Sequence, residues 1–465
     1  MRKKQKTMEE LLEEALVPEK EQPYEVPGNW VWTKLGKIAN YHNGKAFKPT
    51  DWSDKGRPII RIQDLTGTNK GEPHFFEGQI DKKHEIKSGD LLISWSATLG
   101  AYIWKGEEAV LNQHIFKVES FINKKYHYYL MQNLISSLYS KTHGSGMVHV
   151  TKKVFDEIPV PLPNLKEQKR IADKVEHLLS KIDEAKRLIE EAKETFELRR
   201  AAILDKAFRG ELTRKWREEN HLNSTATQLL AKISKLKPEK KSKFKDQLDP
   251  GILEHLFNLP NEWKWVRLND LTEEFTYGTS AKTNDDSSGT PVIRMGNIID
   301  GYLDLKDLKY LPNNHEDVIK FDLDTNDILF NRTNSYELVG KTAVVTSEIL
   351  NKMTFASYLI RVRLLLKNIL AGYVSHFINS HIGRKILLTM VTQQVGQANI
   401  NSQKLASLPI PLPPEEEIIE ITQRINKYIE REREQKEKLS LEEDIITLKQ
   451  SILSKAFRGE LGTND

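Results

Sequence analysis

The stretch ILDKAFRGEL at Ile203–Leu212 returns as ILSKAFRGEL at Ile452–Leu461 with one substitution. A decapeptide kept over that separation marks the chain as two copies of one unit, and a repeat of this size decides the architecture before any local reading does. A period of about 250 residues is far too long for a solenoid, so each copy is a domain or a domain pair. The match extends outward from the decapeptide. VPGNWVW (Val26–Trp32) aligns with LPNEWKW (Leu259–Trp265), and GRPIIRIQDL (Gly56–Leu65) with GTPVIRMGNI (Gly289–Ile298). SGDLLISWS (Ser88–Ser96) aligns with TNDILFNRT (Thr325–Thr333), and IPVPLP (Ile158–Pro163) with LPIPLP (Leu408–Pro413). The offset grows along the chain while the order is kept, so the copies differ by loop insertions around a common scaffold.

Each copy has two parts. In the first, short runs rich in Val, Ile and aromatics read as strands between Gly, Asp and Asn turns: Pro58–Ile62, Asp90–Ser94 and Ile115–Val118. Their second-copy equivalents are Pro291–Met295, Asp327–Phe330 and Tyr358–Val362. Patterns at helical spacing follow at Tyr126–Tyr139 and Gly372–Met390. The second part is a long helix. Pro159, Pro161 and Pro163 forbid helix before Asn164, an N-cap with Glu167 at the third helical position. From there Val175, Ile182, Ile189, Phe196 and Ile203 recur every seven residues, with Ile171, Leu178, Ala185 and Ala192 filling the other seam, and Gly210 stops the helix. Such a helix is roughly 65 Å long at about 1.5 Å per residue, or about two turns of duplex at ~34 Å each.

The second long helix starts after Pro413–Pro414, where Glu415, Glu416 and Glu417 suit the positive end of the helix dipole. Its seam of Ile418, Ile421, Ile425 and Tyr428 is interrupted by EREREQKEK (Glu430–Lys438) and resumes out of step at Leu441, Ile445, Leu448 and Ile452. A stutter or a solvated central segment is expected there. The fold class that follows is α+β, with two similar mixed α/β domains separated by two long helices that pair as an antiparallel coiled coil with pseudo-twofold symmetry. The competing arrangement docks each helix only on its own globular part. The boundaries read as a helical arm over 1–25, a first globular domain over 26–163, a first long helix over 164–210, a basic connector over 211–250, a second globular domain over 251–413, a second long helix over 414–459 and a tail over 460–465.

Composition narrows the function. The 465 residues contain no cysteine, which excludes disulfides, zinc–thiolate sites and cysteine nucleophiles and fits a reducing cytoplasm. No apolar run approaches the roughly 20 residues that span a bilayer. MRKKQKTMEELLEEAL at the start turns acidic without an apolar core, unlike a signal peptide. Net charge is only +4, but Lys232, Lys235, Lys237, Lys240, Lys241, Lys243 and Lys245 crowd the connector, either as a solvated linker or as a phosphate-binding patch. No P-loop, dinucleotide-binding turn, H-E-x-x-H or G-x-S-x-G occurs, and the thirteen histidines form no metal-ligating helix pair. Neither a catalytic centre nor a cofactor or metal is expected.

What recurs instead is a set of polar and aromatic loop tips: Tyr41–Lys45, Ser94–Thr98, Asn112–His114 and Lys141–His149 in copy one, and Tyr277–Lys282, Asn331–Tyr336, Ser357–Tyr358 and Gln393–Asn401 in copy two. These are side chains that hydrogen-bond to base edges and phosphates. The order of parts, the W-x-W at each globular start, the P-x-P-x-P before each helix, E-Q-K-R-I at Glu167–Ile171 and the two F-R-G-E-L endings resemble the specificity subunit of type I restriction-modification systems. The resemblance covers nearly the whole chain and implies two target-recognition domains, each reading half of a bipartite, asymmetric site in double-stranded DNA, with the helices as a ruler for the gap. It also implies a non-catalytic subunit that assembles with two methyltransferase subunits and two motor-nuclease subunits. In copy two E-Q-K-R-I is replaced by E-E-E-I-I-E (Glu415–Glu420).

Comparison of the copies separates scaffold from readers. Arg61 and Arg294, Trp30 and Trp263, and Asp90 and Asp327 match, as scaffold or shared phosphate contacts should. The tips that differ are the base-reading candidates: Ser94, Trp95, Ser96 and the run His143–His149 with Ser145 in copy one, and Asn331, Arg332, Thr333 and the run Gln393–Asn399 with Gln394 and Gln397 in copy two; Gln113, His114, Lys141 and Asn334 are further DNA-binding candidates. Arg332 suits guanine and the glutamines suit adenine, while Lys45 and Lys282 suit phosphate. The alternative function is a coiled-coil assembly scaffold whose globular parts bind proteins rather than DNA.

Overall fold

A computed structural model of the chain describes residues 8–141, 151–220, 222, 224–238, 244–249, 251–252, 256–347, 353–394 and 397–463. Two compact units emerge, and each is a composite. The first contains Met1–Glu190 with Ser440–Asp465, and the second Glu191–Leu439. Each unit therefore holds one globular part, the beginning of the helix that follows it and the end of the helix from the other copy.

In the first unit a four-stranded antiparallel sheet runs in the order Ala39–Asn43, Ile115–Ser120, Leu91–Ser94, Gly100–Ile103. A second sheet runs Phe75–Phe76, Arg57–Ile60, Ala109–Leu111, Glu85–Ile86, with its central pair parallel (Ile59 opposite Val110). The second unit repeats this plan. Its antiparallel sheet runs Thr272–Tyr277, Leu359–Leu364, Ile328–Asn331, Thr342–Val344, and its second sheet pairs Thr290–Ile293 in parallel with Thr354–Phe355. The expected strands all form, with shifted ends. The run Pro58–Ile62 stops at Ile60 because the Arg61 amide donates to Asp64 Oδ2 at 2.7 Å and a short helix begins at Ile62. The helical run Gly372–Met390 is two helices, Lys367–Asn379 and His381–Thr389, because the Ser380 hydroxyl caps the second by accepting from Gly383 N at 3.1 Å.

The proline-rich runs are strands. Pro159–Leu162 pairs with Val31–Lys34, and Pro409–Leu412 with Lys264–Arg267, each as an isolated two-stranded ribbon in which a proline needs no second neighbour. After the first ribbon Asn164 Oδ1 accepts from Glu167 N at 3.0 Å, as expected of its cap, and the helix Leu165–Phe208 begins. Its apolar seam is most deeply buried at the two ends: Ile171, Val175 and Ile182 in the first unit, and Leu204, Ala207 and Phe208 in the second. Ile189, Ala192, Phe196 and Ile203 are half-buried and Ala185 is exposed. The second long helix is interrupted, with Glu415–Lys438 and Glu442–Phe457 separated at Leu439–Leu441, where the charged run had displaced the seam.

Pairing within each unit is antiparallel. In the first, Asp183 meets Lys449 at 2.6 Å, and Ile171, Val175 and Ile182 share a core with Ile452, Leu453 and Phe457. In the second, Glu197 meets Lys436, Arg200 lies 3.9 Å from the buried Glu432, and Leu204 joins Ile425 and Ile429 in the core. The repeated decapeptide supplies the terminal plug in both. Phe457 packs edge-on to Tyr126 at 5.3 Å, and Phe208 edge-on to Tyr373 at 5.4 Å. The two tyrosine hydroxyls donate to Pro161 O (2.8 Å) and Pro411 O (2.6 Å), locking the plug to the proline ribbon. The glycines that follow, Gly210 (φ 74°) and Gly459 (φ 76°), turn left-handed, and a Cβ there would meet Pro260 and Pro27 respectively.

A buried carboxylate completes each joint. Glu417, fully buried, accepts from Thr213 Oγ1 at 2.6 Å, Trp263 Nε1 at 2.8 Å and the Arg217 guanidinium. Glu167, also fully buried, accepts from Thr463 Oγ1 at 2.6 Å and Arg170 Nε at 2.8 Å. Thr213 and Thr463 both lie just past F-R-G-E-L. Phe457→Ala should cost roughly 3–5 kcal/mol through the cavity it leaves, and Phe208→Ala the same in the second unit. Urea unfolding followed by a tryptophan signal from each unit measures both, and a loss below about 1 kcal/mol would mean the plugs are not packed as described.

Candidate nucleic-acid interface

The central strands Leu91–Ser94 and Ile328–Asn331 hold equivalent places in their sheets and end at the tips marked by sequence. Their rear is fixed by cations. Lys117 Nζ donates to Glu85 O at 2.5 Å, and the equivalent Arg361 guanidinium donates to Asp322 O. Asp327, fully buried, takes a two-pronged contact from Arg363 (2.9 and 2.7 Å), while Asp90 lies 3.5 Å from Lys117. Trp30 and Trp263 are core residues. Arg61 and Arg294 place their backbone amides in matching turns, accepted by Asp64 and Asn297. Their guanidiniums lie over the Trp52 ring at 5.0 Å and against Asp307 at 3.0 Å.

At the tips, two glycines bring backbone against backbone. A Cβ on Gly44 would lie 2.0 Å from Asn112 O, and one on Gly278 would lie 2.1 Å from Phe355 O. No other residue fits, and the following residues form the same parallel bridge: Lys45 with Asn112, and Thr279 with Ala356. Lys45 is thus matched by Thr279, not by Lys282, which is exposed elsewhere on its loop. The Lys45 ammonium sits over the rings of Phe76 (4.7 Å) and Phe47 (5.2 Å).

Within the first unit the structure brings Trp95, His114 and Gln113 together with Asn43. Trp95 Nε1 donates to Asn43 Oδ1 at 3.1 Å, its ring meets His114 edge-on at 5.0 Å and it stacks on Phe116 at 5.6 Å. His114 has φ 72° and a buried Nδ1 without a partner. Gln113 is exposed and Ser96 half-buried. Ser94 is buried, its hydroxyl donating to Thr98 O at 2.6 Å, so it faces the sheet interior and offers nothing outward. His143, Ser145 and His149 lie outside the described residues, and Lys141 is the last residue of the helix Lys124–Lys141.

Within the second unit Arg332, Thr333, Asn334, Gln397 and Asn399 converge. Thr333 pairs with Asn399 across a short ribbon, and Asn399 Nδ2 donates to Thr333 Oγ1 at 2.8 Å. Arg332 lies over the Tyr277 ring at 4.8 Å, with long contacts to Ser357 O (3.4 Å) and Asn399 Oδ1 (3.5 Å) and an Nε without a partner. Gln393 and Gln394 belong to the neighbouring strand Thr392–Gln394. Asn331 is buried with Oδ1 unpaired, at the base of a cavity of about 900 Å³ lined also by Asn334, Ser357 and Tyr358. Asn43, Tyr277 and Tyr358 stand in these clusters; the sequence placed them on the loop tips but not among the reading candidates. The signal that could have found them is the offset between copies, once loop insertions are placed correctly.

A buried histidine supports the strand that carries Asn43. His127 stands between Tyr41 Oη and Ser120 Oγ, each 2.9 Å away, and burial holds its pKa down at about 3. The unfolded chain takes up a proton near pH 6.5 and the folded one does not. Stability is therefore complete above about pH 6.5 and falls on acidification towards pH 3, by up to about 1.4 kcal/mol per pH unit. Replacing His127 by Gln should remove this share, so the gap in urea midpoint between wild type and variant narrows as pH falls from 7 to 5. A gap independent of pH would contradict the neutral buried ring.

Among the described residues no group of side chains could hold a metal ion, and no helix is long and apolar enough to cross a membrane. A family model for the type I restriction modification DNA specificity domain matches residues 27–194 and 260–443. The chain is 30% identical over 458 residues to the type I restriction enzyme EcoKI specificity subunit of Escherichia coli (strain K12), across 94% of this chain and 90% of that one. It is 26% identical over 443 residues to the EcoBI specificity subunit of Escherichia coli, across 93% and 86%. Its fold is similar to a solved chain from work on assembly and conformational transition of the type I R-M system, with TM-score 0.64 and 19% identity over 94% of this chain and 100% of that one. It is also similar to the HsdS subunit from Thermoanaerobacter tengcongensis, with TM-score 0.51 and 20% identity over 95% and 100%.

Proposed function

The chain belongs to the DNA specificity subunits of type I restriction-modification systems, the non-catalytic part of such a complex, and from that premise we propose that each globular unit reads one half of a bipartite, asymmetric site in double-stranded DNA. The observation that carries this is the pair of tips built on equivalent backbone with unlike side chains: Trp95 and His114 in one unit, Arg332 and Tyr358 in the other. Equal tips would read a palindrome; unlike tips read two different half-sites. The long helices set the unread gap between them.

In this reading Arg332 is the main discriminator of the second half-site. Its guanidinium lies over the Tyr277 ring at 4.8 Å, and a guanidinium fork suits guanine O6 and N7. Gln397 and Asn399 stand beside it for adenine, with Gln393 and Gln394 on the adjacent strand. Trp95, Ser96, Gln113 and His114 serve the first half-site, joined by Lys141, His143, Ser145 and His149 from the following segment. Lys45 and Lys282 hold phosphates. The protein partners are two methyltransferase subunits and two motor-nuclease subunits in the cytoplasm, which supply adenine methylation, ATP hydrolysis and cleavage. This chain contributes address rather than chemistry and needs no cofactor of its own.

Arg332→Ala should relax one base position of the second half-site by about 1–3 kcal/mol of discrimination and leave the first untouched, as read by sequencing methylated adenines in cells carrying the complex. A change confined to the first half-site would overturn the assignment. Duplex binding by the assembled complex should weaken linearly in log–log terms with salt as phosphate contacts release counterions. A nearly salt-independent affinity would point instead to a scaffold whose globular parts bind proteins.

A further inference from the structure

We propose that positions 43, 95 and 114 of the first unit and 277, 332 and 358 of the second are one three-position reading device built twice, and that Asn43, Tyr277 and Tyr358 are specificity-determining residues. The proposal deepens the reading above and rests on it. Three backbone features establish the correspondence. Trp95 N donates to His114 O at 3.2 Å, and Arg332 N donates to Tyr358 O at 3.1 Å. Gln113 N donates to Lys45 O at 2.9 Å, and Ser357 N donates to Thr279 O at 2.7 Å. Asn43 and Tyr277 each end a sheet strand immediately before the glycine that has no room for a Cβ.

On this common frame the side chains make the same contact with different chemistry. The residue at 43 or 277 orients the residue at 95 or 332: Asn43 accepts the indole N–H of Trp95, and the Tyr277 ring carries the Arg332 guanidinium. The consequences for recognition differ. An indole has a single donor, and Trp95 spends it on Asn43. Because that contact engages Asn43 Oδ1, the exposed Asn43 presents Nδ2, a donor, beside an apolar ring face. A donor next to an apolar surface complements thymine, which offers O4 and the C5-methyl group in the major groove. In the second unit the held guanidinium presents donors for guanine, and Tyr358, 52% exposed, flanks it with a hydroxyl and a ring. In the first unit the donor of Asn43 and the ring of Trp95 read together; in the second Tyr277 aims, Arg332 reads and Tyr358 flanks.

The experiment uses the full chain assembled with its methyltransferase subunits, with targets read by sequencing methylated adenines. Asn43→Ala should relax a single base position in one half-site, and Tyr358→Ala a single position in the other, each with roughly tenfold loss of discrimination. The triple transplant Asn43→Tyr, Trp95→Arg, His114→Tyr should shift that position of the first half-site towards the base read by Arg332, leaving the second half-site unchanged. If the transplant does not fold, the two alanine variants, both at exposed positions, decide alone. Methylation retained with both half-sites unchanged in the alanine variants would overturn the proposal, as would both variants altering the same half-site. A wild-type complex that methylates no bipartite site would instead sink the underlying functional reading, so the two failures are distinguishable.

Discussion

Everything in this molecule depends on the joint at which the end of a long helix enters the core beside the other copy's globular part. In each joint a phenyl ring, a left-handed glycine, a threonine just beyond it and a buried glutamate act together. A carboxylate is expensive to take out of water unless its oxygens are paired. Glu417 meets three donors, one of them a guanidinium, and two of the three come from the segment that follows Phe208. That segment is therefore required by the charge as well as by the packing. Neither globular part can close its own core: Phe208 completes the cluster around Tyr373 and Phe377, and Phe457 completes the one around Tyr126. Each copy's core is completed by the end of the other copy's helix.

The same constraint explains why the most alike segments are the helix ends, and why an apparent mismatch is none. E-Q-K-R-I and E-E-E-I-I-E share little, yet the glutamate that matters, Glu167 in one and Glu417 in the other, occupies the same place in both. In the first unit its cation is Arg170, three residues along the same helix. The second helix has Glu420 there, and Arg217 comes instead from beyond the first helix, with a further bond to Gly210 O at 3.0 Å. A buried carboxylate demands a compensating cation but does not dictate which element supplies it. The two helix starts accordingly differ in charge while the joint beneath them is preserved.

How much of this was legible in the sequence follows from which features act locally. The Asn164 cap and the exclusion of helix from the prolines before it are set by backbone chemistry within a few residues, and both stand as the residues imply; that the proline runs pair as strands was not legible. The break at Leu439–Leu441 was visible only as a loss of seam, since a slipped heptad leaves open whether the helix bends or stops. Glu167 and Glu417 could not be read as buried, because a charged first turn is ordinarily a solvated one and burial is decided by chain more than 200 residues away. Ser94 and Asn331 read as tip residues but close the sheet, because the last residue of a strand points inward or outward by register alone. The match of Lys45 to Thr279 was hidden by an extra residue at the bulge between Thr272 and Glu274, which shifts the copies before the glycine.

What remains is why a reader can be rebuilt without rebuilding the protein. Around each tip the scaffold is saturated: a glycine that admits no Cβ, a cation tied to a carbonyl, a buried aspartate, an aromatic plug. Substitution at such places costs several kcal/mol through cavities, clashes or orphaned charge. The tip positions are different in kind. Asn43 and Tyr358 are exposed, and Trp95, Arg332, His114 and Tyr277 are half-buried, in contact with one another and, for Trp95 and Tyr277, with the edge of the core. Changes there that keep the mutual contact fall near the small effects typical of surface positions. Trp95 with Asn43 and Arg332 with Tyr277 are two such solutions on one backbone. Stability is concentrated in the helix joints and the sheet, and specificity in side chains whose replacement the joints barely register.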